Sequence, residues 1–212
     1  MVSSVQLTGR AAAASGVLMI AGVQGEWLFN PQRDDGTVTS MPVFILLLVT
    51  ATAGFALLLA AVMGLRAQTA CPTRSARIGA LMTVAGAGLL VIFGLAGLVT
   101  SLLRGAPLEA SFIAFLLGML LLWVGPVTWG LSLRRRPPTP GVWQLLLLSG
   151  LGAFGALAIE PDPWHDISLT VMFAAWSALG VLLLRQANQL ASERTPDNTA
   201  HRVQDHSERS HG

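Results

Sequence analysis

Six long apolar stretches separated by short polar ones dominate the chain. They cover about 8–29, 41–65, 78–103, 107–133, 141–159 and 166–184. Each is near the roughly 20 residues that cross about 30 Å of hydrocarbon at 1.5 Å per residue. A chain in lipid must satisfy its backbone polar groups internally, which leaves helices or a closed barrel. Barrel strands would alternate apolar and polar positions, and the run Phe44, Ile45, Leu46, Leu47, Leu48, Val49 does not. The pattern therefore predicts an all-α polytopic transmembrane bundle of about six helices, arranged as three hairpins.

The first stretch admits a second reading, a signal peptide cleaved after Gly25. The preferred reading is a retained helix whose far end carries Gln24, Glu26 and Trp27 at the membrane interface. After Leu184 the character changes: residues 186–212 are polar and of mixed charge, with Pro196 as a helix breaker. The expectation is one membrane domain over 1–185 and a disordered cytoplasmic tail over 186–212, with the sixth helix able to run on towards Arg194. In that tail His201, His206 and His211 recur every five residues, a spacing that spreads them around a helix and does not suit a metal site.

Composition agrees with the membrane reading. Of 212 residues 53% are hydrophobic and 11% charged, against roughly 25% charged in soluble domains. All 13 basic residues are arginine, and tyrosine is absent. This points to a high-GC bacterial genome. A net charge of +2 does not indicate nucleic acid, because the arginines lie at helix ends and in loops, with no basic stripe interleaved with aromatics. The single cysteine, Cys71, excludes an internal disulfide.

The arginines also give an orientation. With the N-terminus inside, Arg10, Arg66, Arg74, Arg77, Arg134, Arg135, Arg136 and Arg185 are cytoplasmic, and only Arg33 and Arg104 fall outside. The positive-inside rule then places both termini in the cytoplasm of a bacterial cell membrane. Each returning helix ends in a similar way, as in Gly64-Leu65-Arg66 and Gly130 to Arg134. That similarity fits an internal triplication, but topology alone also demands arginine there.

Candidate chemistry is sparse. The second, third and fifth stretches carry no ionisable residue at their centres, only Thr50, Thr52, Thr83, Gln144 and Ser149. Intramembrane charges mark ion paths and proton relays, so a proton-coupled pump is disfavoured. Hydroxyls in such helices commonly bond back to the preceding turn. Haem between two facing histidines is disfavoured because His165 alone lies near a helix. No His-Glu-x-x-His, phosphate-binding loop or Gly-x-Ser-x-Gly occurs. No cofactor and no enzymatic activity are expected.

Four features remain. Small residues recur every four positions, as in Ala12/Gly16, Ala21/Gly25, Ala56/Ala60/Gly64, Gly79/Thr83/Ala87, Gly152/Ala156 and Ala174/Ala178. Such rows let helices approach closely, either within one bundle or between copies. Gly125-Pro126 lies inside the fourth stretch, where proline removes a backbone hydrogen bond and predicts a kink. Trp123, Trp129, Trp143 and Trp176 read as packing aromatics, and Trp27 and Trp164 as an interfacial belt. Finally, Glu26, Asp34, Asp35, Glu109, Glu160, Asp162, His165 and Asp166 project to the outer side. Of these, Glu26, Glu109, Glu160, His165 and Asp166 form a candidate rim for a divalent cation or for acid–base chemistry. The alternative is that outer loops simply avoid arginine and accumulate acids.

The glycine- and alanine-rich first helix ending near Glu26, Asn30 and Pro31, together with Gly64-Leu65-Arg66, resembles small six-span inner-membrane proteins of unknown function in high-GC bacteria. The resemblance extends over the whole chain and implies no catalytic residues. The reading that follows is a non-enzymatic membrane protein working by helix packing in the lipid bilayer, with a homo-oligomer or another membrane protein as its partner. The alternatives are a permease or channel for a neutral or apolar solute, and a rim metal binder or enzyme.

Overall fold

A computed structural model describes residues 2–29, 38–69, 73–104, 111–134, 140–158 and 164–193. All six expected helices are present: α1 (Val2–Phe29), α2 (Met41–Gln68), α3 (Arg74–Arg104), α4 (Ser111–Leu133), α5 (Val142–Ala158) and α6 (Trp164–Glu193). Local sequence sets several of their ends. Pro42 occupies the first turn of α2, where its missing N–H costs nothing. Thr73 caps α3 by accepting the Ala76 N–H at 3.1 Å. Gly141, at φ +92°, makes the left-handed turn into α5.

The helices differ from the apolar stretches chiefly at their ends. α1 begins at Val2, not near residue 8, and α2 runs three residues beyond Leu65. α6 runs nine residues past Leu184 to Glu193, so the polar region expected to begin at 186 starts as helix. The reason is packing as well as propensity: Ala187 is wholly buried, and Gln186, Gln189, Leu190 and Ala191 are all sound helix formers. His201, His206 and His211 lie outside the described residues.

Four helices, α2, α3, α4 and α6, are long and apolar enough to cross a membrane. α5 is apolar but has 17 residues, or about 25 Å of helix. α1 has the length but carries Ser3, Ser4, Gln6, Thr8, Arg10, Gln24 and Glu26.

Each helix packs against its neighbours in sequence, and α1 closes against α6, so the six form a ring. Paired contacts run in opposite directions along every neighbouring pair: Thr8 meets Gly64 and Met19 meets Gly54 between α1 and α2, while Gly9 meets Gly180 and Gly16 meets Phe173 between α1 and α6. An even number of alternating helices closes in this antiparallel way. One apolar cluster drawn from all six helices fills the interior, including Met19, Leu58, Leu90, Leu122, Leu146 and Trp176. The outer faces are apolar too, with Leu46, Ile92, Leu117, Leu151 and Val181 exposed. An apolar interior with an apolar exterior is the arrangement of a bundle in lipid.

Backbone contact at glycine holds the ring together. A methyl on Gly79 would stand 2.6 Å from the Trp129 nitrogen, and one on Gly86 2.8 Å from the Gly118 carbonyl oxygen. Residues Gly79, Thr83 and Ala87, a candidate face for self-association, are therefore buried against α4 within one chain. Ala12, Gly16, Gly152 and Ala156 also face inwards, whereas Ala56, Ala60, Ala174 and Ala178 face outwards.

Candidate functional site

The antiparallel ring sorts the polar residues to its two ends. The N-terminal ends of α1, α3 and α5 share one end with the C-terminal ends of α2, α4 and α6. Arg10, Arg66, Arg74, Arg77, Arg134 and Arg185 accordingly belong to a single end, and all are exposed. The opposite end carries Glu26, His165 and Asp166, and also Arg104, the last residue of α3.

At that acidic end, His165 enters the first turn of α6 and reaches back to α5. Its Nδ1 lies 2.7 Å from the Ala156 carbonyl oxygen, so Nδ1–H donates to a carbonyl in the last turn of α5. This satisfies one of the acceptors that every helix C-terminus leaves open. Asp166 stands in the first turn of α6, where a carboxylate complements the helix dipole. Glu26 is exposed on α1. Glu109 and Glu160, the other two members of the rim, lie outside the described residues, as do Asp34, Asp35 and Asp162. Among the described residues no three acidic, imidazole or thiol groups come together.

Gly125-Pro126 lies at the α3–α4 contact. α4 is helical throughout Ser111–Leu133 with Pro126 inside it. A methyl on Gly125 would stand 2.7 Å from both the nitrogen and the hydroxyl of Thr83, so this glycine is where the two backbones approach. Thr83 in turn donates its hydroxyl to the Gly79 carbonyl at 2.8 Å. Thr50 and Thr52 do the same to Leu46 and Leu48, at 2.9 and 2.7 Å.

Polar links that the sequence did not announce join α1 to its neighbours. Gln68 of α2 donates to the Thr8 hydroxyl at 2.7 Å and to the Ser4 carbonyl at 3.2 Å. The buried Ser15 hydroxyl donates to the Gly54 carbonyl at 2.9 Å. Gln24 meets the Thr170 hydroxyl at 3.4 Å. Glutamine near a helix end and serine in an apolar run were the signals available, but neither tells which neighbour it faces.

The interior holds donors with no partner among the described residues: the indole N–H groups of Trp129 and Trp176 and the hydroxyls of Ser149 and Ser101. Trp129, Trp176 and Ser149 come from three successive helices, α4, α6 and α5, and each is almost fully buried. Trp123 and Trp143 pack against neighbours: Trp123 lies 4.6 Å from Phe154, and the Arg134 guanidinium sits 5.7 Å above Trp143.

No family model, no curated protein and no solved structure matches the chain.

Proposed function

We propose that this chain is a six-pass protein of a bacterial cytoplasmic membrane, with both termini cytoplasmic, that acts without catalysis by packing against another copy or a membrane partner. The observation that carries this reading is how the polar groups inside the ring are used. Thr8, Thr52, Thr69 and Thr83 bond back to their own helices, and Ser15 and Gln68 join one helix to the next. Ser15 and Gln68 thus hold helices together, while the threonines satisfy their own backbone, and this use supports packing over a solute path. Burial of Thr8, Gly9, Ser15 and Gly16 of α1 between α2 and α6 supports a retained first helix over a cleaved one. The gathering of Arg10, Arg66, Arg74, Arg77, Arg134 and Arg185 at one end, with Arg104 at the other, supports the orientation.

Once Gly79, Thr83 and Ala87 are buried, the low-profile outward positions include Ala56 and Ala60 on α2 and Ala174 and Ala178 on α6. Small residues on a lipid-facing surface allow a second helix to approach closely. The single native cysteine makes the test direct. In a Cys71→Ser background, Ala56→Cys or Ala174→Cys should give an intermolecular crosslink in native membranes, while Ile92→Cys should not. Uniform absence of crosslinks at all outward positions would contradict the packing reading.

A second reading, passage of a neutral solute, is favoured by one observation: the unpartnered donors of Trp129, Trp176 and Ser149 inside the ring. Flux of a neutral hydrogen-bonding solute into vesicles, lost in Trp129→Phe with Trp176→Phe, would support it over the first.

A further inference from the structure

A groove of about 630 Å³ opens between α5 and α6 at the arginine-bearing end of the ring. Leu145, Val181 and Leu182 line its apolar part, Pro140 bounds it, and Arg185 and Gln189 form its polar part. Its origin lies in helix length. α5 starts only at Val142, after the Gly141 turn, whereas α6 continues to Glu193. The last turns of α6 therefore extend beyond the start of α5.

The depth of this groove can be read along α6. Arg185 lies 21 residues beyond Trp164, an exposed aromatic at the opposite end. At 1.5 Å per residue that is about 31 Å, close to the roughly 30 Å of bilayer hydrocarbon. With Trp164 at one interface, Arg185 and Gln189 stand at headgroup level on the other side. Val181, Leu182 and Leu145 stand at the level of the acyl chains. Among the described residues no acidic residue lines the groove, and the exposed Arg185 has no ion pair. Among the described residues Arg134 is the other cation nearest in sequence to α5; it sits over Trp143 and is not part of the lining.

We infer that this groove holds one anionic phospholipid from the leaflet at the arginine-bearing end. The acyl chain lies along Leu145, Val181 and Leu182. The Arg185 guanidinium, a planar fork matched to phosphate oxygens, holds the phosphate, and the Gln189 amide adds a further donor. A headgroup with net negative charge is preferred because the protein supplies the cation. A zwitterionic headgroup brings its own cation and gains less from Arg185. Basic grooves between membrane helices are general sites for such lipids. The inference depends on the chain lying in a bilayer and not on self-association.

The test uses the full chain in a neutral detergent, offered phosphatidylglycerol and phosphatidylcholine in equal amounts and read by native mass spectrometry. Phosphatidylglycerol should be retained about tenfold over phosphatidylcholine, the size of one charged hydrogen bond. Arg185→Gln should abolish the preference, and Arg66→Gln, on α2 away from the groove, should keep it. Val181→Trp, which fills the apolar part at an exposed position, should reduce retention of both lipids and serves as the reading if Arg185→Gln does not fold. Equal retention of the two lipids by the unaltered chain, or an unchanged preference in Arg185→Gln, would overturn the inference. Displacement of the lipid by an equal concentration of inorganic phosphate would overturn it as well, because the site would then be one for a free anion.

Discussion

Gly9 of α1 and Gly180 of α6 face each other backbone to backbone where the ring closes. A methyl on Gly9 would stand 2.9 Å from the Gly180 carbonyl oxygen, and one on Gly180 would stand 2.5 Å from the Gly9 carbonyl oxygen. Neither neighbour is a flexible side chain that can move aside. Gly180→Ala should therefore destabilise the protein in detergent by about 1–3 kcal/mol, the usual cost of overpacking. Gly88→Ala is the control, since a methyl there meets nothing within 4 Å, and its effect should stay within about 0.5 kcal/mol. Equal thermal shifts for the two variants would mean that α1 and α6 are not in contact.

Gly79→Leu makes the parallel prediction for α3 and α4. Because Gly79 lies against the Trp129 nitrogen and the Gly125 carbonyl, the substitution should lower the melting temperature or prevent folding without changing the oligomeric state of what remains folded. A folded protein with altered oligomeric state, seen by size-exclusion chromatography with light scattering, would return this face to the outside.

The contrast between Gly79 and Ala56 shows what the sequence can and cannot say. Both belong to small-residue rows of the same spacing, yet one is buried and the other faces outwards. In a soluble protein the polar side of a helix marks the surface. Here lipid is as apolar as the interior, so buried Leu58 and exposed Leu46 carry the same signal. Helix number was legible because the length and dryness of a stretch are local properties. Which face packs was not, because that depends on the neighbour. The continuation of α6 to Glu193 was only half legible, since its buried contact at Ala187 sits in a segment that reads as polar. At the acidic end, His165 was visible as a residue near a helix end, but its acceptor, the Ala156 carbonyl, leaves no mark in a sequence.

That bond gives a third prediction. His165→Ala should cost about 0.5–1.5 kcal/mol, the net value of one hydrogen bond. The loss should be the same in the presence of a chelator and of added zinc, because the bond to Ala156 is internal to the bundle. A loss that appears only when zinc is added, measured by thermal melting, would favour a metal site at the rim.

Gln68 and Thr8 provide a fourth. Their 2.7 Å hydrogen bond links α1 and α2 near the arginine-bearing end. A double-mutant cycle with Thr8→Val and Gln68→Ala should give a coupling of about 0.6 kcal/mol, the average for hydrogen bonds between membrane helices, and not above about 1.7 kcal/mol. Additive effects would show that the pair is not formed in the folded protein.

The central claim is that six antiparallel helices close into one membrane-embedded ring, with α1 retained and seated against α6. It is tested most directly in native membranes with Gln24→Cys and Thr170→Cys together in a Cys71→Ser background, at two positions whose native side chains meet at 3.4 Å. A short thiol crosslinker should join α1 to α6 within one chain, so that cleavage of the polypeptide between them leaves both pieces connected, and Gln24→Cys with Ile92→Cys should give no such product. Separation of the pieces after crosslinking, or efficient crosslinking of Gln24→Cys to Ile92→Cys, would contradict the closed ring.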